Sequence, residues 1–357
     1  MTMISLDGHT LTAAEVMRIA TGKAQVSISK DATPRIEAAR SVVERILSNE
    51  ETVYGINTGF GALVHQRISS DDLSELQTNL VRSHATAIGD LMSKESVRAM
   101  MTVRINSLAK GNSGVHPDVL QQLVDFLNFD IVPAIPRIGS LGASGDLAPL
   151  SHMALSLIGE GEVLSSDGGV EPTHIHLKKH GLIPLELRAK DGLSLINGTS
   201  QMCSFLVMAE QRLADLLVYA DLALCTSIEA RKASVKPSDI RVHQARPHPG
   251  QLLISQRIRR ILKDSPIVAS HEGCEQVQDA YSFRCAPQVH GAVYERLMAL
   301  QSTLDVELNS ATDNPLIFPD ISNPGPHEVI SQGNFHGEVL ALTADSMAAA
   351  MFELGSI

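Results

Sequence analysis

The sequence has no tryptophan and few aromatic side chains, which make up 3% of 357 residues, and it contains four tyrosines. Its four cysteines, Cys203, Cys225, Cys274 and Cys285, show no C-x-x-C spacing, so we expect neither a disulfide framework nor a zinc site. Reduced thiols of this kind are typical of a cytoplasmic protein. His271-Glu272 is followed by Gly-Cys-Glu rather than by the spacing of a zinc-binding helix, so no metal is expected.

Long apolar segments are also missing. Asp7 and Gly8 interrupt the apolar character that a signal peptide needs. The most apolar late stretch, Val339 to Leu354, contains two acidic residues and is too short to span a bilayer. The net charge of -11 argues against nucleic acid or an anionic membrane as a partner. With 44% hydrophobic residues, the sequence predicts a soluble globular protein with a large core.

The periodicity of the apolar residues predicts a mostly α protein. Helices are expected at about 12–20, 34–47, 71–88, 94–110, 117–128, 147–158, 200–230, 249–263, 287–310 and 336–355. Strands are expected at Gln25–Ser29 and Thr173–Leu177, where apolar and polar residues alternate. The 200–230 helix is apolar on nearly every face, which favours burial inside a helix bundle.

We therefore predict two domains, an N-terminal domain at 1–195 and a central helical bundle at 196–357. The sequence stops directly after a helical pattern, so we expect the bundle to be truncated at its C-terminal end.

The segment Gly139–Pro149 contains three glycines and two serines between an apolar run and a helical pattern. Glycine permits a tight turn, in which the Gly145 amide nitrogen can attack the Ala143 carbonyl carbon. Loss of two waters, one of them from Ser144, would leave a methylidene-imidazolone ring, which is a strong electrophile. The alternative is a helix-capping turn, with Asp146 or Ser144 as N-cap and a proline in the first turn.

Four other loops combine glycines or prolines with chemically active side chains. They are the 54–61 loop with Tyr54, the 195–199 loop with Asn197, the 277–291 span with Gln278, Tyr281 and Arg284, and the 332–337 loop with Phe335. Taken singly, these residues have structural interpretations. A tyrosine can be a packing residue and an arginine a surface ion-pair residue. His84, which lies near the end of a predicted helix, can be a partner of the helix dipole.

Together these segments resemble the motifs of the aromatic amino acid ammonia-lyases, in the order found in that family. The matching stretches are Tyr-Gly-Ile-Asn-Thr-Gly-Phe-Gly, Gly-Ala-Ser-Gly-Asp-Leu-Ala-Pro-Leu, Leu-Ile-Asn-Gly-Thr, Val-Gln-Asp-x-Tyr-Ser-x-Arg-Cys-x-Pro-Gln-Val and Gly-Asn-Phe-His-Gly. The resemblance runs from about Ser5 to the last residue. It implies a fumarase/aspartase-like long-helix bundle with a small mixed α/β N-terminal region. It also implies a homotetramer whose active sites draw residues from three subunits.

The resemblance implies that Ala143-Ser144-Gly145 cyclises to 4-methylidene-imidazol-5-one, with no external cofactor. Ser83-His84 resembles the selectivity pair of the lyases that convert L-histidine to trans-urocanate, so His84 would bind an imidazole ring. The remaining roles that it implies are Tyr54 as the base, Arg284 as the clamp for the substrate carboxylate, Asn197, Tyr281 and Gln278 as polar contacts, and Phe335 as the side chain that shapes the pocket.

The sequence departs from the histidine-lyase pattern at Ser200, Ala87–Asp90, Gln332 and Val339. Other substrates therefore stay open, namely tyrosine, phenylalanine and a thiol-histidine betaine. An aminomutase that returns ammonia to the β-carbon also stays open. A further alternative is a truncated, inactive homologue with a structural or regulatory role.

Overall fold

A computed structural model describes residues 2–49, 51–58, 72–271, 273 and 276–357. The chain is mostly helical, as predicted. Its helices are α1 Ala13–Ala20, α2 Thr33–Ser48, α3 Leu73–His84, α4 Lys94–Ala109, α5 Pro117–Asn128, α6 Leu147–Leu157, α7 Thr173–His180, α8 Asp191–Ile196, α9 Ser200–Ala230, α10 Ile240–Gln244, α11 Pro249–Ile261, α12 Pro266–Ala269, α13 Tyr281–Glu307 and α14 Glu338–Ser356.

The strands are short and pair two by two within the described residues. They are β1 Thr2–Leu6, β2 Ala24–Ile28, β3 Ile88–Leu91, β4 Pro136–Ile138, β5 Glu162–Leu164, β6 Val170–Pro172, β7 Leu316–Ile317 and β8 Val329–Ile330. β1 and β2 are parallel, and the other three pairs are antiparallel. In the β3–β4 pair, Ile88 lies opposite Ile138, so the chain before β3 and the chain after β4 leave from the same end.

The chain forms two compact units, Met1–Val207 with Leu304–Leu340, and Met208–Thr303 with Ala341–Ile357. The predicted division into domains at 1–195 and 196–357 stays a prediction. The compact units differ from that division because residues 304–340 return to the first unit.

The first unit is built around α4, in which every residue from Ser96 to Ala109 is buried. An isolated amphipathic helix buries one face only, so α4 is a central helix with neighbours on all sides. Two arginines, Arg98 and Arg104, belong to this buried stretch. Their charges must therefore be satisfied inside the protein.

Most predicted helices are confirmed, with boundaries that move by a few residues. The predicted 287–310 helix begins earlier, at Tyr281, and Pro287 lies inside it. Residues 59–61 of the predicted 54–61 loop, and residue 71 at the start of the predicted 71–88 helix, lie outside the described residues.

The predicted strand at Thr173–Leu177 is wrong, because this segment begins helix α7. The alternation of Ile175 and Leu177 suggested a strand, but the residues that are buried are Thr173 and Leu177, which share a helical face. Gly181 ends the helix in the left-handed conformation, with φ of 68°.

Two expectations from composition bear on the fold. Cys203, Cys225 and Cys285 are free thiols, whereas Cys274 lies outside the described residues. Among the helices that the structure describes, none has the length and apolar character required to cross a membrane.

Candidate active site

The Ala143-Ser144-Gly145 tripeptide lies in a turn folded back on itself. Bridges of β type join Gly142 to Gly145 and Ala143 to Gly145, so the backbone of residues 142–145 is doubled over a very short span. We call residues 142–145 the tripeptide turn. Gly142 and Gly145 both have positive φ, 83° and 78°, which glycine adopts without strain. Ala143 and Ser144 are exposed, whereas Gly145 is buried.

The turn closes against Asn197 and Gly198, the residues that follow α8. The Asn197 side-chain amide donates to the Ser144 carbonyl oxygen at 3.0 Å. The Asp146 main-chain N–H donates to the Gly198 carbonyl oxygen at 2.7 Å. A Cβ atom at position 145 would lie 2.6 Å from that same oxygen, so only glycine fits there. These contacts are compatible with a close approach of the Gly145 nitrogen to the Ala143 carbonyl carbon.

Phe335 belongs to a loop held against the first residue of the turn. The main-chain N–H of Gly337 donates to the Gly142 carbonyl oxygen at 2.8 Å. Asn334 anchors the same loop by donating from its side chain to the Ala311 carbonyl oxygen at 3.3 Å. Phe335, half-buried, is therefore fixed two residues from a direct contact with the tripeptide turn.

His84 is the last residue of α3, three residues before Ala87. Gly139, which follows β4, packs so closely on Ala87 that a Cβ atom on it would lie 2.7 Å from the Ala87 Cβ. His84 Nδ1 lies 2.9 Å from the Leu80 carbonyl oxygen and 3.0 Å from the Ser83 hydroxyl. A carbonyl oxygen can only accept, so Nδ1 carries a proton, and in the neutral ring Nε2 is an acceptor.

Tyr54 lies in the described part of the 54–61 loop, in a turn that Asn57 holds in place. The Asn57 side chain accepts from the Val53 N–H at 2.9 Å and donates to the Glu51 carbonyl oxygen at 2.6 Å. Gly55, with φ of 75°, packs so tightly that a Cβ atom would lie 2.6 Å from Pro315 and 3.0 Å from Leu193 of α8. Tyr54 is thus held beside the helix that leads into Asn197.

Asp146 is a buried carboxylate that sequence reasoning considered only as a possible cap for α6. It occupies the N-cap position of α6, but its side chain makes no capping bond to that helix. Instead it accepts from the main-chain N–H groups of Gln201 and Met202, at 2.7 and 3.1 Å, in the first turn of α9. The Ser140 hydroxyl donates to it at 2.6 Å. Burial raises the pKa of Asp146 to about 6, although these three hydrogen bonds favour the charged form.

Tyr54, His84, Asn197, Phe335 and the tripeptide all belong to the first unit, in which Asn197 contacts Ser144 directly and the loop of Phe335 contacts Gly142. The structure reveals two further residues around the turn, Asp146 and Arg104. Arg104 was missed because no motif marks it, and an arginine in a helical pattern is usually a surface residue.

Gln278, Tyr281 and Arg284 belong to the second unit. The Arg284 guanidinium lies 6.0 Å from the centre of the Tyr281 ring, within cation–π range, and its Nε donates to the Asp279 carbonyl oxygen at 3.0 Å. Gln278 and Arg284 line a cleft that also exposes Lys232 and Lys236.

Tyr281 is largely exposed, with 65% of its surface accessible. A hydrogen bond to the Cys285 side chain raises the pKa of the Tyr281 phenol, so it is a hydrogen-bond donor at neutral pH. In the part of the chain that the structure describes, His, Cys, Asp and Glu residues form no group suited to a metal ion.

The sequence profile of the aromatic amino acid lyases matches residues 11–357, and the chain belongs to that family of carbon–nitrogen lyases. Among curated relatives, a histidine ammonia-lyase of Myxococcus xanthus is 44% identical and covers 99% of this chain, which spans 68% of that protein. Among solved structures, a histidine ammonia-lyase of Trypanosoma cruzi superposes with a TM-score of 0.89 at 39% identity, covering 99% of this chain and 66% of that one. A tyrosine aminomutase of Streptomyces globisporus gives 0.90 at 38% identity, covering 99% and 69%.

The chain therefore spans about two thirds of the length of these relatives. The structural neighbours confirm the mostly α fold, because they match it at a TM-score near 0.9 over nearly the whole chain.

Proposed function

We propose that this chain carries the catalytic machinery of an ammonia-lyase that converts L-histidine to trans-urocanate and ammonia. The observation that carries the proposal is the doubled tripeptide turn, with the Ser144 carbonyl oxygen held by Asn197 at 3.0 Å. The similarity to histidine ammonia-lyases at 44% identity supports the choice of substrate.

The tripeptide turn forms 4-methylidene-imidazol-5-one in this proposal, and its doubled backbone supports that role. In that reaction the Gly145 nitrogen bonds to the Ala143 carbonyl carbon. One water leaves with the Ala143 oxygen, and a second leaves with the Ser144 hydroxyl and its α-hydrogen. The absence of a side chain at Gly145 and the close approach of Gly198 favour the compressed backbone that this bond needs. Once formed, the ring supplies an electrophilic carbon that assists the departure of the substrate amine.

Asn197 then acts as a fixed donor to the Ser144 oxygen. A donor already aimed at an oxygen that gains charge during reaction costs no reorganisation, and removing one such donor slows comparable enzymes about 10²–10³-fold. Because Asn197 is 6% exposed, water does not compete freely for its amide.

His84 provides selectivity for an imidazole ring. Its Nδ1 donates to Leu80, so its Nε2 is ready to accept the N–H of a substrate imidazole. The hydrogen bond to Leu80 also fixes the orientation of the His84 ring. A histidine side chain without such a bond would rotate more freely.

The remaining roles divide between the two units. Tyr54 takes the β-proton of the substrate, and Phe335 shapes the pocket beside the turn. Arg284 binds the substrate carboxylate through a bidentate fork, with Tyr281 and Gln278 as further polar contacts. Because the family resemblance implies active sites shared between subunits, we propose that these second-unit residues complete a site in a homotetramer.

The surface of the second unit supports self-association. Leu216, Tyr219 and Leu222 recur every third residue on α9, and each has between 43% and 67% of its surface exposed. On α14, Leu342 and Phe352 are 61% and 72% exposed. Exposed apolar side chains on long helices are typical of protein–protein contacts, which supports the proposed association.

The test is to incubate the purified chain with L-histidine and follow urocanate by its ultraviolet absorbance, with Ser144→Ala as the matched control. We expect urocanate from the wild-type chain, a tripeptide mass lower by two waters, and neither from the Ser144→Ala variant. Urocanate formation at the wild-type rate by Ser144→Ala would refute the proposal.

The same assay separates the alternatives. Parallel incubations contain tyrosine, phenylalanine or a thiol-histidine betaine, and chromatography detects a β-amino acid, the product expected of an aminomutase. Ring formation with turnover of one of these and none of histidine would reassign the substrate. An intact tetramer without ring or turnover would favour a structural or regulatory role.

A further inference from the structure

Arg104 is a buried cation that supports the backbone against which the tripeptide turn closes. Its side chain is fully buried in the middle of α4. Its Nη1 donates to the Asn197 carbonyl oxygen at 2.9 Å, and its Nη2 donates to the Ser194 carbonyl oxygen. Both acceptors lie on the segment that ends α8 and precedes Gly198.

A buried guanidinium needs a reason, because an apolar residue of similar volume would pack there without losing hydration. Arg98, six residues earlier on α4, is paired with Asp130 at 3.0 Å. Arg98 also donates to the main-chain carbonyl oxygens of Ile19 and Leu127, which lie outside the tripeptide turn and residues 194–198. The Arg104 donors that have partners reach the carbonyl oxygens of Ser194 and Asn197, and within the described residues its Nε has no hydrogen-bond partner. The carboxylates of Asp313 and Asp146 act on it through their charge.

Gly198 is close to both the guanidinium and the tripeptide turn. A Cβ atom at position 198 would lie 2.2 Å from Arg104 Nη1, and a Cβ atom at position 145 would lie 2.6 Å from the Gly198 oxygen. Arg104 and Gly145 thus both contact the Asn197–Gly198 backbone. Moving Arg104 would move both the Gly198 backbone and the Asn197 amide that holds Ser144.

We propose that Arg104 is a positioning residue for ring formation, holding the Asn197–Gly198 backbone where the tripeptide turn must close. This inference rests on the proposed function, since it assigns a role in forming the same electrophile. Arg104 does not touch the tripeptide, so its effect passes through residues 197 and 198. Misplacement of reacting groups by about 1 Å slows a reaction roughly 10²-fold, which sets the expected scale.

The experiment follows the mass of the tripeptide-bearing peptide over time after cell-free synthesis of the full chain. The variants are Arg104→Met and Arg104→Lys, and the matched controls are Arg98→Met and Arg98→Lys. Circular dichroism and urea unfolding establish folding for each chain. We expect loss of two waters to slow roughly 10²-fold in Arg104→Met, with partial rescue in Arg104→Lys, which keeps the charge and a donating ammonium group but not the forked guanidinium. Both Arg98 variants should lose the waters at the wild-type rate.

Three results would overturn the inference. One is ring formation in folded Arg104→Met at the wild-type rate, and another is equal slowing in the Arg98 variants. The third is failure of both Arg104 variants to fold while the Arg98 variants fold, because Arg104 would then be required for the fold itself. Retention of both waters by the wild-type chain would refute the proposed function, a result distinct from these three.

Discussion

Replacing Asp146 by asparagine should make the protein more stable at neutral pH. Asparagine has nearly the same shape and can accept from the first turn of α9, so it mimics the protonated aspartic acid without its charge. Burial raises the pKa of Asp146 to about 6, roughly two units above the value of an unfolded aspartate. Two units correspond to about 3 kcal/mol of unfolding free energy.

The direction follows from proton binding. Between about pH 4 and 6 the folded state holds a proton on Asp146 that the unfolded state has lost, so the stability contributed by this group falls as pH rises. The difference in unfolding free energy between Asp146→Asn and the wild type should be near zero at pH 4. It should grow to about 3 kcal/mol by pH 7.

The assay is urea unfolding, followed by circular dichroism, of both proteins at half-unit intervals from pH 4 to pH 7. Asp239→Asn is the control, because Asp239 is only half-buried and hydrogen bonds from Arg241 lower its pKa. Its difference from the wild type should change only below about pH 4. If the difference in unfolding free energy between Asp146→Asn and the wild type stays constant from pH 4 to pH 7, the raised pKa of Asp146 and the argument from burial are refuted.

Four further changes test the proposed site. Gly145→Ala places a Cβ atom 2.6 Å from the Gly198 oxygen at positive φ, so it should cost about 2–4 kcal/mol in urea unfolding and abolish the loss of two waters by mass spectrometry. Asn197→Ala should lower kcat about 10²–10³-fold in the urocanate assay, and an unchanged kcat would remove Asn197 from the donor role. Tyr54→Phe should lower turnover at least about 10²-fold while the mass spectrum still shows the ring, and a smaller loss would exclude Tyr54 as the base. Arg284→Lys should lower kcat/KM about 10-fold because the bidentate fork is lost, and an effect no larger than that of Lys236→Arg in the same cleft would argue against a carboxylate clamp.

The sequence predicted the long helices and the loops of the site because both leave local signals. Periodic apolar residues define α9, and glycines mark the turn at 142–145 and the loop at 332–337. The strand predicted at 173–177 was wrong because alternation over five residues does not reveal which face is buried. Burial depends on Leu177 packing inside the first unit, which is a property of the tertiary structure.

The contacts around the tripeptide could not be predicted, because each joins segments far apart in the sequence. Asn197 reaches Ser144 across 53 positions, and Arg104 reaches Asn197 across 93. No local pattern records such a pairing. The partner of Asp146 was misjudged for the same reason. Its position suggests a cap for α6, whereas its carboxylate accepts from a main-chain N–H in the first turn of α9.

The glycines of the site are best understood as points where two backbones meet. Gly145 abuts Gly198, Gly337 donates to Gly142, and Gly198 also approaches a guanidinium. A Cβ atom at position 145 or 198 would clash with the neighbouring segment, so the tripeptide turn is held by main chain from two distant segments together with the Asn197 side chain. Ring closure needs two backbone atoms of one turn to be brought within bonding distance, and main-chain support with buried donors such as Asn197 and Arg104 supplies that constraint without strain elsewhere. The same reasoning explains why the residues that carry the proposed chemistry stand in glycine-containing loops beside the buried helix α4.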